Sequence, residues 1–161
     1  MTLALRLNER FVHTYGRQKD GVWFYPSPDK VATFTVDELR ELKLSTRKAE
    51  YIIGLSQKIA SGDLQLDRLQ RLTDSEVISE ITKIRGIGLW TAENYLLFAL
   101  GRPNLFPNVD IGIQNAVKKL YGLNRKPTIE ELTQYEKNWE PYLSYASFYL
   151  WRSIETGSDK K

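Results

Sequence analysis

The stretch IRGIGLWTAENYLLFALG, Ile84 to Gly101, decides the fold. Arg85-Gly86-Ile87-Gly88 reads as a tight turn between a helix that closes at Ile81-x-x-Ile84 and a new helix that opens at Leu89. Two glycines permit positive φ and remove the Cβ atoms that would keep a ligand away from the backbone. The first amides of the new helix have no partner inside it. Such amides, with the helix dipole behind them, bind a phosphate oxygen without reading base sequence. A plain helical hairpin with a glycine turn would also contain Gly-x-Gly. The full string I-x-x-I-x-G-I-G-x-W-T-A is more restrictive, and it points to a DNA-backbone contact through Gly86, Ile87, Gly88 and Leu89. Beyond the turn, Trp90, Ala92, Tyr95, Leu96, Leu97, Phe98, Ala99 and Leu100 cover every helical face, which predicts a central helix enclosed on all sides.

Working outward, helix signals fill the chain. Thr35/Glu38, Thr73/Glu76 and Thr128/Glu131 have the spacing of capping boxes, and Ser27-Pro28 pairs an N-cap with a proline at the first helical position. From Thr46, Ala49, Ile52, Ile53, Ile59 and Ala60 recur near helical spacing, and Tyr142, Tyr145, Ala146 and Tyr149 repeat the pattern. The only strand-like stretch is Val22 to Tyr25, too short to imply a sheet. A polar tail follows Thr156, and no internal repeat is present. The expected fold is all-α.

Composition excludes several classes. The 161 residues suffice for one domain or for two small helical lobes. With no cysteine and one histidine, thiolate zinc sites, iron–sulfur clusters and disulfide frameworks are ruled out, and a resident cofactor is not expected. His13 reads as a packing or surface residue. The longest purely apolar run, Tyr95 to Leu100, is too short to span a bilayer, and Arg6 and Arg10 sit where a signal peptide would be apolar. A soluble intracellular protein, cytoplasmic or nucleoid-associated, is expected. Residues 81–126 hold seven bases and two acids, whereas the whole chain carries only +3, so the basicity is local. It reads either as a solvated face or as a polyanion footprint.

Taken together, RLNERFVHTYG (6–16), STRKAEYIIGLSQKIASGDLQL (45–66), KIRGIGLWTAENYLLFALGR (83–102), FPNVDIGIQNAV (106–117) and WEPYLSYASFYLWR (139–152) resemble the alkylpurine (3-methyladenine) DNA glycosylases of the helix-hairpin-helix superfamily. The resemblance implies a two-lobed helical fold, divided here into a helix of the second lobe (1–20), a helical domain with the hairpin (21–122), and C-terminal helices with the tail (123–161). It implies that Asp110 is the catalytic carboxylate and that Trp90 and Tyr142 line the base pocket. It also implies that the carbonyls of Thr82, Ile84 and Ile87 hold a monovalent cation that bridges to phosphate. Double-stranded DNA with a damaged base is the implied partner, and a monomer is expected.

The chemistry is consistent with one aspartate. Breaking an N-glycosidic bond develops positive charge on the sugar, which a carboxylate stabilises, and an N3- or N7-alkylated purine leaves without a general acid. No second carboxylate is expected beside Asp110, whose alternative role is to cap the helix that begins near Ile111. Relatives that also cut the strand carry a lysine where this chain has Trp90, so a monofunctional enzyme is implied. Lys83, Lys118 and Lys119 then read as backbone or solvent contacts, and Tyr145 and Trp151 as packing residues. The family places an apolar wedge ahead of the helix that starts here at Thr2, so the chain is expected to be the C-terminal portion of a longer enzyme. A non-catalytic hairpin module that binds DNA, and a glycosylase for another damaged purine, are the alternative functions.

Overall fold

A computed structural model describes residues 3–155. The polar tail after Thr156 lies outside the described residues. The order of elements is α1 (Leu3–Tyr15), β1 (Arg17–Lys19), β2 (Val22–Phe24), α2 (Pro28–Ala32), α3 (Val36–Glu41), α4 (Thr46–Ala60), α5 (Leu66–Leu69), α6 (Asp74–Thr82), α7 (Leu89–Asn94) continued by a π-helical segment (Tyr95–Ala99), α8 (Ile111–Leu120), α9 (Ile129–Glu136) and α10 (Leu143–Glu155). The fold is helical, as the capping signals indicate. Thr35 and Thr128 form complete capping boxes with Glu38 and Glu131, and the Ser27 hydroxyl accepts the Lys30 amide ahead of Pro28. Each cap is worth about 1 kcal/mol to its helix. None of the helices among the described residues is long and apolar enough to cross a membrane.

The chain divides into two compact units, residues 3–73 with 82–87, and residues 74–81 with 88–155. This differs from the boundaries 1–20, 21–122 and 123–161 read from the sequence: α1 groups with the elements through Thr73, and the break within the middle segment falls at the hairpin turn, after Ile87. In the first unit Leu39, Ala49 and Ile53 form a core flanked by Phe11, Tyr15, Phe34, Val36, Leu44 and Ile52, which buries the apolar stripe of α4 against α3. His13 lies against the Trp23 ring at 4.5 Å, a packing role as expected. Val22–Phe24 is a strand, and it pairs antiparallel with Arg17–Lys19, so a two-stranded hairpin exists where no sheet was expected. Asp20 and Gly21 both have positive φ (51° and 79°), as a two-residue turn matched to the strand twist requires.

In the second unit Phe106, Ile113, Ala116, Val117, Leu132, Leu143 and Leu150 form the core, with α8 packed on α10. Two expectations fail here. The run after Gly88 is not enclosed by the chain: Ala92, Leu96 and Leu97 are buried, but Trp90 and Phe98 are 52% and 61% exposed. In α10, Tyr145 and Tyr149 are exposed rather than core-facing, as is Tyr142 just ahead of the helix, and the buried stripe is Leu143, Ser144, Ser147 and Leu150. A tyrosine ring tolerates water through its hydroxyl, so helical spacing of tyrosines marks a face without saying which side it faces.

Candidate active site

The turn before α7 uses its two glycines differently. Gly86 has φ +95°, and the Ile87 N–H donates to the Ile84 carbonyl at 3.0 Å to close the turn. A Cβ on Gly86 would lie 2.2–2.6 Å from the Tyr51 ring. Gly88 is extended (φ −97°, ψ 177°), nothing among the described residues lies within 4 Å of where its Cβ would be, and it is the N-cap of α7. The fold therefore requires a glycine at 86 but not at 88. Leu89 is exposed and Ile87 half-buried. Of the carbonyls at Thr82, Ile84 and Ile87, that of Ile84 keeps a second lone pair after accepting the Ile87 amide.

The loop that delivers Asp110 is held by α10. The Ser144 hydroxyl accepts the Leu105 amide at 3.0 Å and donates to the Arg102 carbonyl at 2.5 Å, and the Ser144 amide donates to the Pro103 carbonyl at 3.1 Å. Buried Ser144 is thus a loop anchor, invisible to a search for apolar residues. The Asp110 amide then donates to the Pro107 carbonyl at 2.9 Å, which turns the chain into α8.

Asp110 caps α8, with Oδ1 accepting the Ile113 amide at 2.9 Å. Two indoles grip the same carboxylate. Trp151 Nε1 donates to Oδ1 at 2.9 Å, and Trp90 Nε1 donates to Oδ2 at 2.6 Å. Gly112 gives the approach room, since a Cβ there would sit 2.8 Å from Asp110 Oδ1 and 3.2 Å from Trp151 Cδ1 and Nε1. Partial burial pushes the Asp110 carboxyl up, but the bonds from Trp151, the Ile113 amide, Trp90 and the Gly112 amide outweigh it and hold the group below the usual aspartate value. It is an anion at neutral pH. Trp151, assigned to packing from the sequence, is a ligand of this carboxylate, and its ring stacks on Phe98 at 5.9 Å. Replacing Trp151 by Phe keeps an aromatic ring for that stack but deletes a donor worth about 1.5–3 kcal/mol to a charged acceptor. Carbon NMR of Asp110 is expected to show its titration moved to higher pH in Trp151→Phe; an unmoved curve would mean the indole bond carries no weight.

A second carboxylate lies in the same electrostatic neighbourhood, contrary to expectation. Glu93 stands one turn after Trp90 on α7, is only 7% exposed, and its Oε2 has no hydrogen-bond partner among the described residues. Burial first, and the charge of Asp110 second, push it up to about 7. An unfolded-state glutamate loses its proton near 4.5, so below that pH both states are protonated and Glu93 adds no pH dependence to stability. Between 4.5 and 7 only the unfolded chain gives up the proton, and the fold loses up to about 3 kcal/mol as pH rises. An acid inside an apolar run was the available signal for this residue.

The structure brings Trp90 to Asp110, and it leaves Tyr142 63% exposed, with its ring edge-on to Tyr145 at 6.2 Å. Neither Trp90 nor Tyr142 is a core residue. Tyr145, read as packing, is exposed as well. Lys119 Nζ donates to the Ser153 carbonyl at 3.0 Å, which ties α8 to α10.

A model described as the HhH-GPD superfamily base excision DNA repair protein matches residues 1–141. The chain is 53% identical over 155 residues to YfjP of Bacillus subtilis (strain 168), covering 96% of this chain and 54% of that protein. It is 35% identical over 158 residues to the DNA-3-methyladenine glycosylase of the same strain, covering 96% and 52%. Among solved structures, the 3-methyladenine DNA-glycosylase from Archaeoglobus fulgidus superposes with a TM-score of 0.82 at 27% identity, covering 97% of this chain and 54% of that one. The Schizosaccharomyces pombe 3-methyladenine DNA glycosylase in complex with abasic DNA gives 0.82 at 27%, covering 94% and 72%. The chain spans about half the length of the curated relatives it matches. With a matching family model over most of its length and a half-identical relative, the chain belongs to the HhH-GPD superfamily of base excision DNA repair proteins.

Proposed function

We propose that this chain provides the catalytic part of a monofunctional DNA glycosylase that releases alkylated purines, such as 3-methyladenine and 7-methylguanine, from double-stranded DNA. The observation that carries this reading is the anionic carboxylate of Asp110, gripped by two indoles, one of which is half exposed. The target nucleotide leaves the base stack so that its sugar reaches the carboxylate. The exposed face of Trp90 suits a flat cationic base, and Tyr142 offers a second aromatic surface. Oδ1 has both lone pairs engaged by Trp151 and Ile113, which leaves Oδ2 as the oxygen for the sugar. As the C1′–N bond breaks, its electron pair neutralises the departing base and the sugar becomes cationic. Asp110 stabilises that cation, and water adds to C1′ with loss of a proton.

The amides of the Gly86–Leu89 turn are the groups for the DNA backbone, and the open space beside Gly88 suits close approach of a phosphate. The carbonyls of Thr82, Ile84 and Ile87 would hold a monovalent cation, which when bound supplies one further positive charge for that phosphate. The protein acts on chromosomal DNA inside the cell, as a single copy. Incubation with duplexes that each carry one lesion tests the reading. Release of alkylated purines, with the strand left intact until hot alkali, is expected. Borohydride added during turnover is expected to trap no protein–DNA adduct, because position 90 offers an indole where an amine would be needed. A trapped adduct overturns the monofunctional assignment, and no release of any alkylpurine overturns the activity.

A further inference from the structure

Among the described residues Glu93 is the one buried acid. Its carboxyl is buried in an apolar run whose neighbours Ala92, Leu96 and Leu97 are buried too, and Oε2 has no hydrogen-bond partner among the described residues. Among the described residues, the charge of Asp110 adds to burial in raising the proton affinity of Glu93. Trp90, one helical turn earlier on the same element, bonds that same Asp110. An acid taken out of water without a partner works against the fold, and its place one helical turn from the indole that holds the site carboxylate points to use there. Two carboxyls whose surroundings drive their proton affinities apart are a recurring way to divide roles in a site.

We propose that Glu93 is a positioning residue of the excision site, whose buried carboxyl sets the negative charge presented to the sugar by holding or releasing one proton. The proposal rests on Asp110 being the catalytic carboxylate. With Glu93 protonated, Asp110 is the single anion of the pair. When Glu93 gives its proton to solvent, a second negative charge appears in the same poorly solvated region and adds to the stabilisation of a cationic sugar. Glu93 does this without touching the substrate.

The experiment is single-turnover release of 7-methylguanine from a duplex between pH 5.5 and 8.5. The wild-type rate is expected to rise on the order of tenfold through one inflection near pH 7. Glu93→Gln is expected to show a flat profile, and Glu93→Asp to restore an inflection. The indole 1H–15N resonances of Trp90 and Trp151, both bonded to Asp110, give a readout that needs no turnover. They are expected to follow the same inflection in the wild type and to lose it in Glu93→Gln. Indole resonances that stay flat in the wild type, or an inflection that survives in Glu93→Gln, overturn the proposal. Asp110→Asn separates the two levels. If that variant loses release while the Glu93→Gln inflection persists, the proposal alone fails; if it keeps release, the catalytic reading beneath fails as well.

Discussion

Asp110→Asn is expected to lose base release by roughly a thousandfold or more while leaving the fold intact. Asparagine is as good an N-cap as aspartate, and its oxygen can still accept the Ile113 amide and the Trp151 indole at the positions Oδ1 holds now. The amide nitrogen would then face the Trp90 indole, a donor against a donor, where Oδ2 now accepts at 2.6 Å. What disappears is the negative charge opposite the sugar. The thermal midpoint should fall by several degrees with the fold retained, duplex anisotropy should stay near wild type, and single-turnover release of an alkylpurine should collapse. Near-wild-type release would reduce Asp110 to a helix cap.

The second large effect separates two glycines that look equivalent in the sequence. Gly86→Ala is expected to destabilise the protein by roughly 3–5 kcal/mol, combining a backbone conformation that L-residues avoid with overpacking against the Tyr51 ring. That is a large share of the stability of a typical domain. Gly88→Val meets open space and an extended backbone, so its stability should change by less than about 1 kcal/mol. Its effect should fall on DNA, as weaker binding to every duplex, because amide–phosphate contacts carry no base information. Urea unfolding and fluorescence anisotropy over unrelated sequences read the two effects. A Gly88→Val protein that binds all duplexes normally would remove the turn from the DNA interface.

Much of the helical framework was legible because capping is local. Thr35, Thr128 and Ser27 satisfy amides three residues away, and no tertiary information is needed to see it. The same locality made Asp110 readable as both a cap and a candidate carboxylate. Trp151 and Ser144 were not legible, since their partners lie 41 and 39–42 residues away and only the folded chain brings them together. Glu93 could have been flagged as a lone acid in an apolar run, but its relation to Asp110 depends on the path of the loop between them. The β-hairpin was missed although Asp20-Gly21 is a strong turn signal, because Arg17–Lys19 is polar and exposed and carries no strand alternation.

The π-helical segment behind Trp90 has a bearing on which chain lengths this region can tolerate. Across it the Leu100 amide reaches back five residues to the Tyr95 carbonyl, so the turn holds one residue more than an α-helical turn. Each residue of a helix rotates the next by about 100°. Upstream of the wide turn, Trp90 points its indole at Asp110; within the turn, Phe98 backs the Trp151 ring that holds the other oxygen. Deleting one residue from Tyr95–Ala99 would restore a regular hydrogen-bond ladder and improve the helix considered by itself. It would also turn one indole's support about a quarter-circle away from the other indole. The local irregularity therefore acts as a phase-setting element, and a change in the length of the segment is expected to uncouple the two indoles that hold Asp110.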